Sequence, residues 1–234
     1  AIEEGVRIGE MLDITWLEAE GQRTRDGFAV LDRSGSLITY DLERGIDVTP
    51  VANSDTWLKP IALGCYSGNV YVLDPIMGAI LKYIPTDNNY VNPPSSFINP
   101  QVHVDLTGAV DMAIDGSVYV LFADGRISKY FKGDPQRFDM GGLPGPMRNP
   151  TTLFISGEKK PEAEGFVYVV DSGNQRILEF DKTGNYLRQF KARAGLTQFE
   201  SIQGIYVDAQ RGRLFLLSGN RLWYTNLPAR RTSS

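Results

Sequence analysis

Short apolar runs alternate with turn residues along the chain, and one two-part pattern recurs. Its first part has the form aromatic-Val-Leu-Asp, and its second part, after a tight turn, has the form Ile-x-x-Tyr. The first parts are Phe28–Asp32, Val70–Asp74, Val118–Phe122, Val167–Asp171 and Leu214–Ser218. The second parts are Leu37–Tyr40, Ile80–Tyr83, Ile127–Tyr130, Ile177–Phe180 and Leu222–Tyr224. Each copy predicts two β-strands joined by a hairpin turn.

Another short apolar strand precedes each copy and is the candidate for an innermost strand. These strands are Leu12–Trp16, Pro60–Leu63, Ala109–Ile114, Thr151–Ile155 and Ile202–Val207. The residues that end the first parts are 42, 48, 49 and 47 residues apart, which fits one four-stranded propeller blade per repeat. A fourth, outer strand is clearest at Tyr186–Phe190.

The apolar pattern differs between the strands of one repeat. Second strands read as nearly continuous apolar runs, as expected for strands buried on both faces between neighbouring blades. Third strands alternate, as in Ile80-Leu81-Lys82-Tyr83, which is typical of a strand nearer the rim. Turn segments such as Ser172-Gly173-Asn174 supply the residues that tolerate positive φ in a tight hairpin.

The sequence therefore predicts an all-β fold, a β-propeller of four-stranded blades in which five repeats are visible. The ring is either five-bladed, with the segment Val6–Glu10 completing the last blade, or six-bladed with one blade incomplete. We expect a single propeller domain over residues 1–228 and a polar C-terminal tail over residues 229–234.

The fourth repeat carries a more specific motif. Its residues Asp171-Ser172-Gly173-Asn174-Gln175-Arg176-Ile177 contain the pattern Asp-x-x-Asn-x-Arg-Ile, which resembles the NHL repeat. The copy at Asp74 keeps the spacing to Ile80 but lacks the Asn and the Arg, and the other three copies are looser. The chain as a whole is similar to the extracytoplasmic sensor propellers of bacterial signalling proteins, which accompany a kinase or phosphatase domain.

That resemblance implies a recognition module that binds a protein or a peptide. It also implies a membrane tether upstream of Ala1 and favours an extracytoplasmic location over a cytoplasmic one. The chain itself contains no run of about 18 apolar residues, so we expect no membrane span within it. The net charge is −4 and the basic residues are scattered, which argues against a nucleic-acid partner.

The numbers of cysteine and histidine residues limit the kinds of catalytic and metal site that the chain could form. Cys65 is the only cysteine, so no intrachain disulfide can form, and we expect a buried, inert thiol. His103 is the only histidine, and we expect it to serve at the surface or in blade packing. A zinc site built on several His ligands and a Ser-His-Asp triad with a Gly-x-Ser-x-Gly elbow are both disfavoured. We therefore predict no catalytic residues, no metal and no cofactor.

The starts of the inner strands are the candidate interaction site, because a propeller channel collects one residue from each blade there. By register these residues are Asp13, Lys59, Asp111, Asn149 and Gln203. Converging oxygen ligands would suit Ca²⁺, as in lactonases of the regucalcin and gluconolactonase type. Lys59 would repel a cation in that ring, so a polar, water-filled channel is the preferred interpretation.

Three long connections offer a second kind of interaction surface, since recognition often resides in loops on a rigid scaffold. They are Thr86–Phe97, Gly141–Pro146 and Glu158–Gly165. The aromatic residues Tyr90 and Phe97 are candidate contacts, although packing beneath the loop is the preferred expectation.

Three functional hypotheses remain. The first is a non-catalytic propeller that acts as a binding, sensor or scaffold module. It would bind a protein or peptide partner as part of a larger protein or assembly. The second is a metal-dependent hydrolase of the lactonase class. The third is a structural subunit that packs edge to edge in a multiprotein assembly.

Overall fold

The computed structural model describes residues 9–33, 36–41, 45–157, 159–160 and 163–228, without the side chains of residues 47–50. Most of the predicted strand Val6–Glu10 and the predicted tail over 229–234 lie outside the described residues.

Nineteen strands in the described part of the chain form five antiparallel sheets, each a propeller blade. Blade 1 consists of β1 (Met11–Leu17), β2 (Gly27–Asp32), β3 (Ser36–Asp41) and β4 (Gly45–Pro50). Blade 2 consists of β5 (Ala62–Tyr66), β6 (Asn69–Asp74), β7 (Ala79–Tyr83) and β8 (Ser95–Ser96). Blade 3 consists of β9 (Ala109–Ile114), β10 (Ser117–Phe122), β11 (Ile127–Phe131) and β12 (Asp134–Gln136).

Blade 4 consists of β13 (Pro150–Gly157), β14 (Gly165–Asp171), β15 (Arg176–Asp181) and β16 (Tyr186–Lys191). Blade 5 has three strands, β17 (Ile202–Asp208), β18 (Arg213–Ser218) and β19 (Arg221–Asn226). Within each blade the strands pair in chain order. The predicted all-β propeller with five blades is confirmed.

The inner strands of successive blades lie side by side, from β1 through β5, β9 and β13 to β17. The described residues form no comparable packing between β17 and β1. They also include no helix of the length and apolarity needed to cross a membrane.

The predicted inner, second and third strands are all present, with bounds that differ by up to three residues. The outer strands of blades 1 to 3 were missed by the sequence pattern. β8 and β12 have two and three residues, and all of these are exposed. A strand with no buried side chain leaves no apolar period in the sequence.

The apolar core is divided into four clusters, one in each space between neighbouring blades. In the first, Ala29 and Leu31 of blade 1 pack with Val70 and Val72 of blade 2. The same arrangement recurs between blades 2 and 3, blades 3 and 4, and blades 4 and 5. Because side chains alternate across a strand, the second strands of blades 2 to 4 each contribute to the cluster before their blade and to the cluster after it.

In blade 2, a buried aspartate at the end of the second strand ties the inner strand to its own blade. Asp74 is fully buried. One oxygen accepts hydrogen bonds from the backbone N–H groups of Leu58 and Lys59, at 2.7 and 2.9 Å. The other accepts from Ile76 and Met77, at 3.1 and 3.0 Å. One carboxylate thus fixes both the hairpin turn and the segment that leads into β5.

In blade 4 the NHL-like residues extend this network. Asp171 accepts hydrogen bonds from Arg148 N–H at 2.7 Å, Asn174 Nδ2 at 2.8 Å and Arg176 Nε at 2.6 Å. Arg176 also donates to the carbonyl of Pro146 at 3.1 Å. Because both partners of the Asp171–Arg176 ion pair are buried, the motif has a structural role in this blade.

In blades 1, 3 and 5, the residue at the position of this aspartate makes other contacts. In blade 1, Asp32 accepts from the N–H of Gly9. In blade 3, Phe122 takes the aspartate position, and the guanidinium of Arg126 lies 3.5 Å from its ring centroid. In blade 5, Ser218 lies at that position, with its hydroxyl 3.3 Å from that of Ser201.

We predict that Asp74→Ala lowers the free energy of unfolding by about 2–4 kcal/mol, because four backbone N–H groups lose their acceptor. Urea denaturation measures the change. Asp124→Ala is the control, because Asp124 lies exposed in the hairpin turn of blade 3, and we expect a change within about 0.5 kcal/mol. A loss at Asp74 no larger than that of the control would refute the proposed role.

Candidate functional site

Two of the five predicted channel residues, Asp13 and Asp111, occupy equivalent positions on the inner strands. Asp13 pairs with Leu31 across blade 1, and Asp111 pairs with Leu121 across blade 3. Both lie immediately after a β-bulge in the inner strand. The repeat therefore places the two carboxylates at the same level of the channel wall.

Each of these carboxylates bridges to the inner strand of the next blade. Asp13 Oδ2 accepts from Leu63 N–H at 2.7 Å, and Oδ1 accepts from Ile14 N–H at 2.8 Å.

Asp111 repeats this arrangement between blades 3 and 4. Its Oδ2 accepts from Leu153 N–H at 2.6 Å, and its Oδ1 accepts from Met112 N–H at 2.8 Å. Both oxygens of each acid are already bound by backbone donors, which favours a structural role over the ligation of a cation.

Burial raises the pKa of both acids. Desolvation raises the pKa of Asp13 to about 6, against the lowering effect of its two backbone hydrogen bonds. Desolvation raises the pKa of Asp111 to about 8, and the negative charge of Asp13 raises it further. The charge of Asp13 therefore acts on the pKa of Asp111 across the channel wall.

The other three predicted channel residues do not join this level. Lys59 is exposed in the segment before β5, where its N–H binds Asp74. Asn149 lies in the turn before β13 with a φ of 50°. Gln203 is the exposed residue at the bulge of β17, one position before the level of Asp13 and Asp111. At that level blades 4 and 5 carry Thr152 and Gly204.

No group of three or more His, Cys, Asp or Glu side chains that could hold a metal ion occurs among the described residues. His103 is exposed in the loop before β9, while Val102 and Val104 on either side pack against the core. Cys65 is buried in the cluster between blades 1 and 2, as predicted, and desolvation raises the pKa of its thiol.

The two loop aromatics pack against the blades. Tyr90 is buried, and its hydroxyl donates a 2.9 Å hydrogen bond to the carbonyl of Gly68. The ring of Phe97 meets that of Tyr71 edge to face, with centroids 5.7 Å apart. The preferred expectation of packing beneath the loop is confirmed for both residues.

A concave surface of the described residues lies where blades 1 and 2 meet. We call the face of the propeller that carries the turns between second and third strands the upper face. A cavity of about 250 Å³ opens there. Its lining residues are Arg33, Ser54, Asp55, Trp57, Leu58, Lys59 and Pro60.

Local structure explains how this upper cavity forms. A single 3-10 turn over Ser54–Thr56 begins after Asn53, which has a φ of 58°. Trp57 follows the turn, and its indole Nε1 donates to the hydroxyl of Tyr83 at 2.9 Å, which fixes the ring as one wall. Arg33 approaches from the hairpin turn of blade 1.

The upper cavity combines apolar and charged groups. Leu58 and Lys59 are exposed, Trp57 is half-buried and Arg33 pairs with Glu10 at 2.8 Å. Of these cavity residues, only Lys59 was a candidate from the sequence. Arg33 comes from blade 1 and reaches the segment Ser54–Pro60 only because blades 1 and 2 dock, so its spacing along the chain carries no signal.

Comparisons with known proteins support the fold. No protein-family model matches the chain, and no curated protein matches it. The structure is similar to the WD40 β-propeller domain of Doa1, with a TM-score of 0.57 and 10% identity, covering 94% of this chain and 65% of that one.

Two bacterial structures are similar to the same degree. One is a catalytically inactive H270A virginiamycin B lyase from Staphylococcus aureus with quinupristin, with a TM-score of 0.53, 11% identity and coverage of 97% of this chain and 71% of that one. The other is a protein of unknown function from Bacteroides caccae, with a TM-score of 0.53, 11% identity and coverage of 92% and 71%.

The chain thus spans about two thirds of the length of these structures. At such low identity the likeness concerns the fold alone. The protein is a β-propeller.

We predict that the stability of the wild-type protein falls relative to that of Asp111→Asn as the pH rises. A pKa raised in the folded state contributes stability that is complete below the unfolded value of 3.8 and is lost as the pH approaches about 8. Between about pH 5 and about pH 9, urea denaturation should show a relative loss on the order of 1–3 kcal/mol.

The control is Asp105→Asn. The N–H of Thr107 lowers the pKa of Asp105, so its contribution is constant above 3.8 and we expect no such trend. A difference between wild type and Asp111→Asn that stays constant over this range would contradict the raised pKa of Asp111.

Proposed function

We propose that this chain is a non-catalytic binding module that recognises a protein or peptide through its upper face. The observation that carries the proposal is the upper cavity, in which Arg33 and Lys59 flank the apolar surface of Trp57 and Leu58. Among the lining residues two cations stand with one carboxylate, Asp55, and Glu10 pairs with Arg33 beside the cavity. Such a surface suits a peptide segment with an acidic side chain next to an apolar one.

The scaffold beneath the cavity favours recognition without rearrangement. Asp74 holds the segment that contains Leu58 and Lys59 through two backbone hydrogen bonds. The Trp57–Tyr83 hydrogen bond ties the same segment to the third strand of blade 2. A pre-organised surface loses less conformational entropy when it binds.

The role that we propose is that of a sensor or scaffold propeller in a larger protein or assembly. Support comes from the NHL-like motif of blade 4 and from the propeller fold, which also occurs in the WD40 domain of Doa1. The channel acids Asp13 and Asp111 support a non-catalytic interpretation, because all four of their oxygens accept backbone hydrogen bonds.

Selection of a random peptide library on the immobilised protein tests this function. We expect enrichment of peptides that pair an acidic with an apolar residue. The double variant Arg33→Glu and Lys59→Glu should weaken the binding of selected peptides at least about tenfold, which is about 1.4 kcal/mol.

Arg137→Glu is the matched control, since the side chain of Arg137 is 86% exposed and lies outside the cavity. It should bind the selected peptides as the wild type does. Peptides that bind the double variant as well as the wild type would place the recognition surface elsewhere, and an absence of enrichment would contradict peptide recognition by the chain.

A further inference from the structure

Blade 5 presents to solvent the side chains that every other blade buries against its successor. In each second strand, two alternate positions face the following blade. In blades 1 to 4 these residues are buried, and they are Ala29 and Leu31, Tyr71 and Leu73, Tyr119 and Leu121, and Tyr168 and Val170. Their counterparts in blade 5 are Phe215, which is partly buried, and Leu217, which is 42% exposed.

The third strands repeat the contrast. The residues that pair with the second of these positions are buried in blades 1 to 4, and they are Leu37, Ile80, Ile127 and Ile177. The counterpart in blade 5 is Leu222, which is 71% exposed. Tyr206, Phe215 and Tyr224 form an aromatic row beside it. We call Tyr206, Phe215, Leu217, Leu222 and Tyr224 the trailing face of blade 5.

On the side of blade 1 away from blade 2, Val30 and Ile38 are buried, whereas apolar residues of its inner and outer strands are exposed. Ile14 is 61% exposed, and Trp16 and Ile46 are also exposed. The residues at the position of Ile14 in blades 2 to 4 are buried against the preceding blade, and they are Leu63, Met112 and Leu153. We call Ile14, Trp16 and Ile46 the leading face of blade 1.

These two faces are the two halves of the interface that holds every neighbouring pair of blades together. The trailing face consists of positions that in other blades pack against the following blade. The leading face includes positions that in other blades pack against the preceding blade. Contiguous apolar surface of this kind marks an interaction site. Continuity with four existing interfaces identifies the occupant chemically, as a sheet of the same repeat.

The lengths of the matched propeller chains help to identify the occupant. This chain covers 65% of a WD40 propeller domain and 71% of the virginiamycin B lyase chain. The remaining third of such a chain is equivalent to about two repeats of the spacing seen here. A second copy of this chain would bring five blades, which is more than this difference in length.

We propose that about two further blades, carried on the same polypeptide, occupy the space between the trailing face of blade 5 and the leading face of blade 1. Each of the four existing interfaces joins consecutive segments of one chain. An interface of the same kind at the trailing and leading faces would also be intramolecular, so the two surfaces would meet at a high effective concentration. Largely apolar interfaces of this type are those of permanent contacts.

Cysteine accessibility tests the proposal. Leu222→Cys places a thiol on the trailing face, and Ile76→Cys places one on the hairpin turn of blade 2, where Ile76 is 63% exposed. The native Cys65 is buried and gives a low background. Both variants are produced as the 234-residue chain and as the product of the natural gene, and are labelled with a maleimide under native conditions.

In the 234-residue chain, both introduced thiols should react at similar rates. In the purified product of the natural gene, which should be monomeric by light scattering, the thiol at position 222 should react at least about tenfold more slowly than the thiol at position 76, because the apolar contact excludes the reagent. Tyr224→Cys, on the same face, should behave as Leu222→Cys does and provides a second variant if one of them fails to fold.

Equal labelling of positions 222 and 76 in the natural product would overturn the proposal. Protection that occurs only in oligomers would overturn it in favour of a second copy. Protection that is lost on purification would overturn it in favour of a separate partner protein. None of these results affects the peptide-binding test, which depends on Arg33 and Lys59.

Discussion

The second strands are the elements on which the rest of the structure depends, because those of blades 2 to 4 contribute apolar side chains to the clusters on both of their sides. Val70 and Val72 face blade 1, whereas Tyr71 and Leu73 face blade 3. Burial of this kind is the dominant favourable term in folding. A blade removed from its neighbours would lose both clusters, so the blades stabilise one another and not themselves.

Polar groups then set how the blades are joined at their ends. The buried carboxylate of Asp74 fixes the segment before β5, and the carboxylates of Asp13 and Asp111 cap the inner strands of blades 2 and 4. Desolvation works against the charge of the latter two acids, since it raises the pKa of each. The backbone hydrogen bonds compensate in part, so these groups specify geometry at some cost in stability.

Much of the fold could be predicted because the repeat has one apolar period per strand type. Second strands such as Val118–Phe122 were evident from continuous burial, and the inner strand Ala109–Ile114 was placed with the bounds that the structure gives. The outer strands β8 and β12 left no signal, because they bury no side chains. Their position follows from backbone pairing with the third strand, to which side-chain type contributes little.

The candidate site was less accessible to the same reasoning. The positions of Asp13 and Asp111 at the inner strands could be predicted from register, but their roles could not, since the donors to their outer oxygens are backbone groups of the next blade. The bulge of β17 also places Gln203 one position before their level. The upper cavity joins Arg33 to the segment around Trp57, a proximity that only the docking of blades creates.

The division of the core into four separate clusters has a consequence for how the chain resists unfolding. Among the described residues the apolar clusters join each blade only to its neighbours, so the core resembles a short linear array whose stability is approximately a sum of single-blade and nearest-neighbour terms. Lys159 of blade 4 adds polar contacts to Glu18 of blade 1 and to the carbonyl of Cys65 in blade 2. Interior blades are held by two such terms, and blades 1 and 5 by one each. Local opening therefore starts at the two ends of the array, and amide hydrogens of blade 3 exchange last.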